Sequence, residues 1–370
     1  GPGSGEPPEQ YSGPDDAFYE VPDPLPPGDA GQLIRVQDLG ESDGYAHLRV
    51  MYHSRDARDQ DRAVTGIISH PMAPAPEGGW PVIALAHGTT GLGSQCAPSR
   101  FQTAAPGFGL EGVRVATDYV GLGPVGEVHP YLSGLSEAQP VIVSNRAARL
   151  LPEALAGERW VAVGHSQGGH AALFARELAA QRLPAHQLIG TVALAPPSLV
   201  KDTMTAILVA LQPKGFAAMT VAGIAATHPD AELTDILIPA AAEAIGTLVE
   251  TECAAGIDRA LGLFGNTDIV VANPNQIEPW ATYLQAAEPA IATGAGPLLL
   301  IHSIDDRTVP AFMSAVVEMR TCSRGEPTVR WVLGSGGHNG IIGLTFDLDR
   351  QWTLDRFAGV PAPSNCASGG

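Results

Sequence analysis

The sequence predicts a doubly wound α/β fold, in which a mostly parallel central sheet carries helices on both faces and a helical cap is inserted late in the core. Near-continuous apolar runs such as "WPVIALAHG" and "GPLLLIHS" are typical of parallel strands that are covered on both faces. Segments with apolar residues at helical spacing alternate with these runs, as they do in α/β sheets. With 370 residues, of which 45% are hydrophobic, the chain is long enough for one large domain with an insertion or for two domains.

Apolar or alternating runs predict the strands in order along the chain. They read "LIRVQDL", "YAHLRVMYHS", "AVTGIISHP", "WPVIALAHG", "GVRVATD", "WVAVGHS", "LIGTVALAPP", "GPLLLIHS" and "TVRWVLG". Helices are expected between them at residues 138–155, 167–181 and 311–321 and after Gly340.

Two stretches depart from this alternation. Residues 1–30 are rich in Pro, Gly and acidic residues, which predicts an extended, solvated arm; its first four residues, GPGS, have the form of a remnant left by tag cleavage. Residues 197–296 are rich in Ala, Leu and Ile without strand-like alternation. We expect a helical cap there, because ordinary connections run only about 2–6 residues. The core then comprises residues 31–196 and 297–370.

The charge balance narrows the kinds of partner. Acidic residues number 39 against 21 basic ones, for a formal net charge of −18. Such a surface argues against binding to nucleic acid backbones and against electrostatic docking on anionic membranes, and no apolar run is long enough to span a membrane. We therefore expect an uncharged substrate; the alternative is that the acidic surface serves solubility alone.

Four cysteines, Cys96, Cys253, Cys322 and Cys366, occur without the CxxC or Cys/His spacing of zinc sites. Three pairings are open, and four separate buried thiols are the alternative to pairing. We favour two disulfides, which places the protein outside the reducing cytosol. It is then expected to be secreted or to reside in the cell envelope, with its signal peptide removed.

A serine between glycines ends one of the buried strands. Gly164, Ser166 and Gly168 form a G-x-S-x-G pattern, with an apolar strand before it and a helix after it. In a sharp strand-to-helix turn the serine backbone is strained and its neighbours must be small, which leaves the hydroxyl exposed above the sheet. The pattern with this context predicts a nucleophilic Ser166, and the alternative is a tight turn without chemistry.

Such a serine needs an orienting acid and then a base further along the chain. The strand "PLLLIHS" is followed by Asp305 and Asp306, and the D-x-x-V-P pattern favours Asp306 as the acid, with Asp305 an exposed neighbour or loop cap. His338 lies in the Gly-rich "GSGGHNG" after the last strand, and we predict that this loop brings it to the serine as the base. The alternative is a solvated turn. His165 and His170 are nearer in sequence and are predicted to be structural.

Two backbone N–H groups are expected to form an oxyanion hole. One belongs to Gln167, the residue after the nucleophile. The other is expected in "ALAHGTTGLG", where Gly88 lets the backbone approach the substrate and Thr89 is the preferred donor, with Thr90 as the second choice. The alternative is a Gly-rich loop without a catalytic part.

Further candidates for substrate binding follow another predicted strand. Asp118 and Tyr119 in "ATDYVGLG" are expected near the rim of the site, where they would shape a pocket together with Thr90. The alternative is that Asp118 caps its loop and Tyr119 packs in the interior.

Taken together, these motifs resemble the secretory lipase family of α/β-hydrolases. The similarity runs from residue 87 to residue 338 through "HGTTG…CAPS", "ATDYVGLG", "GHSQGGHAALFA", "DDRTVP" and "GGHNG", of which the first two are the more specific. It implies an α/β-hydrolase core, a helical cap between two late strands, secretion, and hydrolysis of carboxylic esters, including acylglycerols. It also implies the disulfides Cys96–Cys253 and Cys322–Cys366. The "HGTT" oxyanion loop departs from fungal members, which lack its His-Gly, and this bears on the second oxyanion donor.

The predicted function is that of a secreted serine ester hydrolase, a lipase that forms an acyl-enzyme on Ser166 and needs no metal or organic cofactor. The expected partner is a small lipid or ester substrate, with no nucleic acid partner and only transient contact with lipid interfaces. An acyltransferase or peptidase with the same three residues and a non-catalytic binding protein are the alternatives. Chain-length preference, interfacial activation and oligomeric state are left open.

Overall fold

A computed structural model describes residues 7–209, 214–262 and 269–366, with ten strands. The strands are β1 (Glu9–Gln10), β2 (Leu33–Ser42), β3 (Tyr45–Arg55), β4 (Asp61–Pro71), β5 (Trp80–Ala86), β6 (Val113–Thr117), β7 (Ala156–His165), β8 (Gln187–Leu194), β9 (Leu298–Ser303) and β10 (Thr328–Leu333). They form one sheet in the order β1-β2-β3-β4-β6-β5-β7-β8-β9-β10. From β6 through β5, β7, β8 and β9 to β10, neighbouring strands in the sheet are parallel. β3 pairs antiparallel with β2 and with β4, and β4 pairs antiparallel with β6. The predicted mostly parallel sheet is confirmed.

The register of the parallel strands brings their carboxyl ends to one edge of the sheet. Ala86 at the end of β5 lies opposite Gly164 in β7, and His165 lies opposite Leu194 at the end of β8. Ser303 at the end of β9 lies opposite the last residue of β10. The segments that follow β5, β7, β9 and β10 therefore leave the sheet side by side, which is where ligands bind in open α/β sheets.

Helices cover both faces of the sheet. The described residues form α1 (Gly134–Arg149), α2 (Gln167–Arg182), α3 (Val200–Val209), α4 (Lys214–Thr227), α5 (Pro239–Thr251), α6 (Ala254–Leu261), α7 (Trp280–Ala286), α8 (Phe312–Ser323), α9 (Gly337–Leu344) and α10 (Phe346–Phe357). Within these residues no helix is both long and apolar enough to cross a membrane.

Alternate residues of the central strands belong to different cores. Val82 and Trp160 pack with side chains of α1 and α2, whereas Ile83 and Val161 pack with Trp352 of α10 and its neighbours. Because successive strand residues point to opposite faces, a strand buried on both faces reads as a continuous apolar run.

The described residues between β8 and β9, in the segment predicted to form a cap, form the five helices α3 to α7. Side chains of this segment bury one another in a core of their own, which includes Val221, Ile245, Ile257, Trp280 and Leu284. The helical content of the insertion agrees with the sequence, and the division of the chain at 196 and 297 stays a prediction.

The helix predicted at residues 138–155 has different bounds. α1 begins at Gly134 and ends at Arg149, and a short 3₁₀ turn over residues 152–154 follows. Pro152 disfavours helical backbone in the residue before it, and Leu151 is extended, with φ −92° and ψ 104°. The apolar leucines that suggested a longer helix therefore belong to the connection to β7.

The solvated arm predicted at residues 1–30 stays a prediction, and its described part is attached to the sheet at specific points. Glu9–Gln10 pairs with β2, and a 3₁₀ turn over Asp15–Tyr19 buries Phe18 completely against Met51 and Ala63. Arg35 of β2 donates to the carbonyl groups of Phe18 and Glu20. The buried rings of Phe18 and Tyr19, the strand pairing and the Arg35 bonds together hold this polar segment on the sheet, which its average composition does not reveal. Residues 1–6, including the GPGS sequence, lie outside the described residues.

Truncation of this anchor tests the packing of the arm. We expect Phe18→Ala to lower the free energy of unfolding by about 3 kcal/mol, because it leaves a cavity in a fully buried cluster. Phe101→Ala is the matched control, since that ring is 71% exposed. Urea unfolding of both variants measures the effect, and equally small losses for the two would show that the arm does not pack as described.

Candidate active site

The turn at Ser166 joins β7 directly to α2 in a backbone conformation that few residues adopt. Ser166 has φ 59° and ψ −122°. A Cβ at Gly168 would lie 1.9 Å from the carbonyl oxygen of Ala86, and a Cβ at Gly164 would lie 2.0 Å from the carbonyl oxygen of Gly168. Both positions therefore exclude any side chain, and the turn holds the Ser166 hydroxyl above the end of the strand.

The structure brings the three predicted catalytic side chains together. His338 Nε2 lies 2.9 Å from Ser166 Oγ, and His338 Nδ1 lies 2.7 Å from Asp306 Oδ2. His338 is in the first turn of α9 rather than in the predicted loop. Gly336 and Gly337, with φ 134° and 60°, make a turn that leads straight into the helix, so the glycines mark the helix start.

Asp306 and Asp305 have different surroundings. Asp306 is buried and accepts hydrogen bonds from the backbone N–H groups of Thr308 and Val309, both at 2.8 Å. Burial alone would raise the pKa of Asp306, but these bonds and those from His302 and His338 hold the pKa well below its usual range. Asp306 is therefore an anion facing the His338 ring.

Asp305 is exposed, and its carboxylate stabilises the loop after β9 rather than bonding His338. Its Oδ1 accepts from the backbone N–H of Gly337 at 2.8 Å and from the hydroxyl of Ser303. It thus ties the start of α9 to the end of β9. This matches the loop-capping role that the sequence allowed for it.

His165 and His302 surround the same site. His165 Nε2 lies 2.7 Å from the carbonyl oxygen of His338, to which it donates, and burial lowers the pKa of His165 to about 4. His302 Nε2 donates to the carbonyl oxygen of Val309 at 2.8 Å and lies 3.4 Å from Asp306 Oδ2. Both rings hold the backbone or the acid in place.

The predicted oxyanion donors lie beside Ser166. Gln167 is the first residue of α2, where backbone N–H groups lack helical partners and the helix end is electropositive. A Cβ at Gly88 would lie 3.9 Å from the Cβ of Ser166, so the loop after β5 borders the serine. Among the described residues, neither Thr89 N–H nor Thr90 N–H finds a hydrogen-bond partner, which leaves both available.

The two threonines differ in what else they contact. Thr89 Oγ1 lies 2.8 Å from the hydroxyl of Tyr131, whereas the Thr90 carbonyl accepts from the N–H of Ala254 in α6 at 3.0 Å. Thr89 therefore faces the wall of the cavity described below, and Thr90 is bonded to the predicted cap.

Asp118 and Tyr119 are not among the described residues that line the cavity at Ser166. Asp118 is buried and accepts from the hydroxyl of Thr65 at 2.6 Å and from the N–H of Ser99 at 2.9 Å. The Tyr119 ring is fully buried, and its hydroxyl donates to the His87 carbonyl oxygen at 2.7 Å. These residues support the loop after β5, as the alternative of a loop cap and a packed ring predicted, and their part in substrate binding stays a prediction.

Two disulfides are present, with the pairing that the family resemblance implies. Cys96–Cys253 joins the segment after β5 to the N-terminus of α6, and Cys322–Cys366 joins α8 to the end of the described chain. Gly91 also pairs with Cys253 through an antiparallel bridge. The loop that carries Thr89 is therefore attached to the cap by a covalent bond and by backbone contacts.

A cavity of about 540 Å³ opens on Ser166. Its walls come from the segment after β6, from α3 and α4, and from the segment between β9 and α8. Most of its lining is apolar and includes Leu132, Val200, Met204, Phe216, Ala217, Val309, Pro310, Phe312 and Met313. The Ser166 hydroxyl therefore lies between the polar side chains at the edge of the sheet and an apolar cavity that is lined in part by the helical insertion.

This sheet, its covering helices and the strand-to-helix turn at Ser166 define an α/β-hydrolase fold, as the sequence predicted. Among solved structures, the chain is similar to Candida antarctica lipase A, with a TM-score of 0.81, 18% identity, and coverage of 96% of this chain and 88% of that one. It is also similar to the rice cell wall degrading esterase LipA from Xanthomonas oryzae, with a TM-score of 0.74, 18% identity, and coverage of 89% and 100%.

This likeness is one of fold and agrees with the family resemblance that the motifs suggested. No protein-family model matches the chain, and the curated proteins contain no match either.

Glu137 is the residue at this site that sequence reasoning missed. It is fully buried in the first turn of α1 and accepts hydrogen bonds from the side chains of Gln167 and His170, both in the first turn of α2. The sequence carries no local signal for it, because an acidic residue in the first turn of a helix is ordinarily a solvated group that interacts with the helix dipole.

The steric requirement at Gly168 is directly testable. We expect Gly168→Ala to lower the free energy of unfolding by more than about 3 kcal/mol or to prevent folding, because its Cβ would overlap the Ala86 carbonyl. Gly246→Ala is the control, since a Cβ at Gly246 in α5 meets no atom within 4 Å. The yield of soluble protein and the urea midpoint measure both variants. Similar stability of the two would contradict the close approach of α2 to β5.

Proposed function

We propose that this protein is a serine ester hydrolase that forms an acyl-enzyme on Ser166. The observation that carries the proposal is the continuous hydrogen-bonded chain from Ser166 through His338 to a buried, ionised Asp306 at the mouth of a cavity. Such a chain activates a serine hydroxyl for attack on a carbonyl carbon. The lipase and esterase names of proteins with this fold give independent support.

In the proposed reaction, His338 Nε2 takes the proton of Ser166 as Oγ attacks the ester carbonyl. The backbone N–H groups of Gln167 and Thr89 stabilise the oxyanion that forms. His338 then returns the proton to the departing alcohol, and the same histidine activates the water that releases the acid. Asp306 holds the ring in the tautomer whose Nε2 is free to accept, and stabilises the imidazolium.

We further propose that the substrates are lipid esters with an alkyl acyl chain. The cavity wall is mainly apolar, and Phe312 at this wall keeps 57% of its surface exposed. Apolar walls of this extent favour the transfer of alkyl groups from water. The net charge of −18 disfavours anionic ligands, so uncharged acyl esters fit both features.

Export from the cytosol is part of the same proposal. Both disulfides are formed by described residues, and all four cysteines take part in them. Structural disulfides persist in oxidising compartments. We therefore propose a secreted protein or one that resides in the cell envelope.

The two adjacent aspartates provide a matched test of the acid. We expect Asp306→Asn to lower kcat by about 10³–10⁴-fold, because the ring loses its orienting anion. Asp305→Asn should cost less than about tenfold, since that carboxylate bonds the Gly337 N–H and the Ser303 hydroxyl and has no bond to His338. Steady-state rates with p-nitrophenyl butyrate measure both effects. A larger loss for Asp305→Asn would move the assignment to that residue.

The substrate class is tested by a rate series on p-nitrophenyl esters of two to eighteen carbons. We expect kcat/KM to rise with chain length beyond six carbons, because each buried methylene stabilises the bound chain by up to about 0.8 kcal/mol. Ser166→Ala is the control and should neither hydrolyse the esters nor react with a fluorophosphonate probe. A maximum at acetate would defeat the lipid proposal, and an unlabelled wild-type protein would defeat the hydrolase proposal itself.

A further inference from the structure

A buried cluster of charged and polar side chains lies directly beneath the Ser166 turn, and the proposed reaction makes no use of it. Glu137 of α1 is at its centre, with no exposed surface. Its Oε1 accepts from the Gln167 side-chain amide at 2.7 Å and from the Leu132 N–H at 2.8 Å, and its Oε2 accepts from His170 Nδ1 at 2.8 Å. The amide of Gln167 also lies 2.8 Å from His129 Nε2.

The partners of His170 define its charge state. Nδ1 faces the Glu137 carboxylate, and Nε2 lies 2.7 Å from the Ala287 carbonyl oxygen. Neither partner has a hydrogen to donate, so both ring nitrogens must donate and the ring is an imidazolium. Burial alone would lower the pKa of His170, but the Glu137 charge raises it. For Glu137 the effects have the opposite sign. Burial alone would raise the pKa of Glu137, but His170 and the other donors lower it to about 2.

This ion pair connects three parts of the site. Through Gln167 it holds the residue whose backbone N–H is the proposed oxyanion donor. Through Leu132 it holds a turn that lines the cavity, next to Tyr131 and its contact with Thr89. Through His170 it holds Ala287 at the end of α7, in the predicted cap.

Fold stability alone gives little reason for such a pair. The desolvation of two buried charges commonly offsets their attraction, and apolar residues of the same volume often stabilise a core as well or better. The arrangement does restrict geometry, since each member has its hydrogen-bond partners in only one orientation. An oxyanion donor must be held within about half an ångström of its productive position.

We propose that Glu137, paired with His170, is a positioning residue that acts on the reaction through the side chain of Gln167, and that it keeps the Gln167 N–H aimed at the oxyanion. This inference rests on the proposed ester hydrolysis. Removal of the anion should therefore weaken binding of the transition state more than binding of the substrate.

A double-mutant cycle tests the proposal. Glu137→Gln removes the charge at constant volume, and Gln167→Met removes the side-chain amide and keeps the backbone N–H. We expect each variant to lower kcat by about tenfold or more, a fraction of the loss caused by deletion of an oxyanion donor, with KM changed less than about threefold. The double variant should be no more than about threefold slower than the slower single variant, because both changes break one link.

A second measurement separates positioning from stability. An alkylboronic acid forms a tetrahedral adduct on Ser166, so its Ki should rise in parallel with the loss in kcat/KM. Rates are expressed per mole of folded protein, measured by circular dichroism. A purely structural role would lower the melting temperature and leave kcat and Ki of the folded enzyme unchanged, which would overturn the proposal. Multiplicative effects in the cycle would overturn it too.

The outcomes stay distinct from those of the proposed function. If wild-type protein hydrolyses esters and folded Glu137→Gln retains its kcat within twofold, only the positioning role fails. If Glu137→Gln does not fold, Gln167→Met with unchanged kcat and Ki overturns the proposal by itself. If wild-type protein neither hydrolyses esters nor binds the boronic acid, the hydrolase proposal fails, and the positioning role fails with it.

Discussion

The backbone of Ser166 occupies a region of φ and ψ that costs about 1–3 kcal/mol for a residue with a side chain, and packing around it keeps it there. α2 approaches β5 so closely that the carbonyl of Ala86 occupies the space of a Cβ at Gly168. Burial of α1 and α2 against the sheet stabilises this contact. Since the same turn places the hydroxyl and the first N–H of α2 on one side, the serine and the proposed oxyanion donor follow from one steric constraint.

The remaining groups reach this turn because of strand register. Asp306 follows β9 and His338 follows β10, two parallel strands that end in register at the edge where Ser166 emerges. His165 links the Ser166 turn to the start of α9, because its ring donates to the backbone carbonyl of His338. Residues 172 positions apart in sequence therefore meet through short segments, and no long mobile loop is needed to deliver the base.

Parts of this arrangement that depend on local chemistry were predictable from the sequence. Strands buried on both faces require continuous apolar runs, and the Ser166 turn requires glycines, so the sheet and the serine are visible in the amino-acid order. Long-range packing is not visible there. The glycines before His338 read as a loop although they open a helix, and Glu137 reads as a solvated first-turn acid although it is buried against α2. Phe18 shows the same limit, since its acidic, Pro-rich surroundings conceal a buried ring.

The helical insertion contacts the segments that carry the proposed oxyanion donors, and it also forms part of the cavity wall. Cys96–Cys253 and the bond from Ala254 to the Thr90 carbonyl attach α6 to the loop after β5, and the His170–Ala287 contact attaches α7 to the helix that follows Ser166. These are the two segments that carry the proposed oxyanion donors. The insertion is thus bound to the core at the points where, in the proposed reaction, small displacements would cost most in transition-state stabilisation. The apolar cavity and the polar groups are held by the same elements, so in the proposed reaction an acyl chain bound by the cavity wall would place its carbonyl close to the proposed donors.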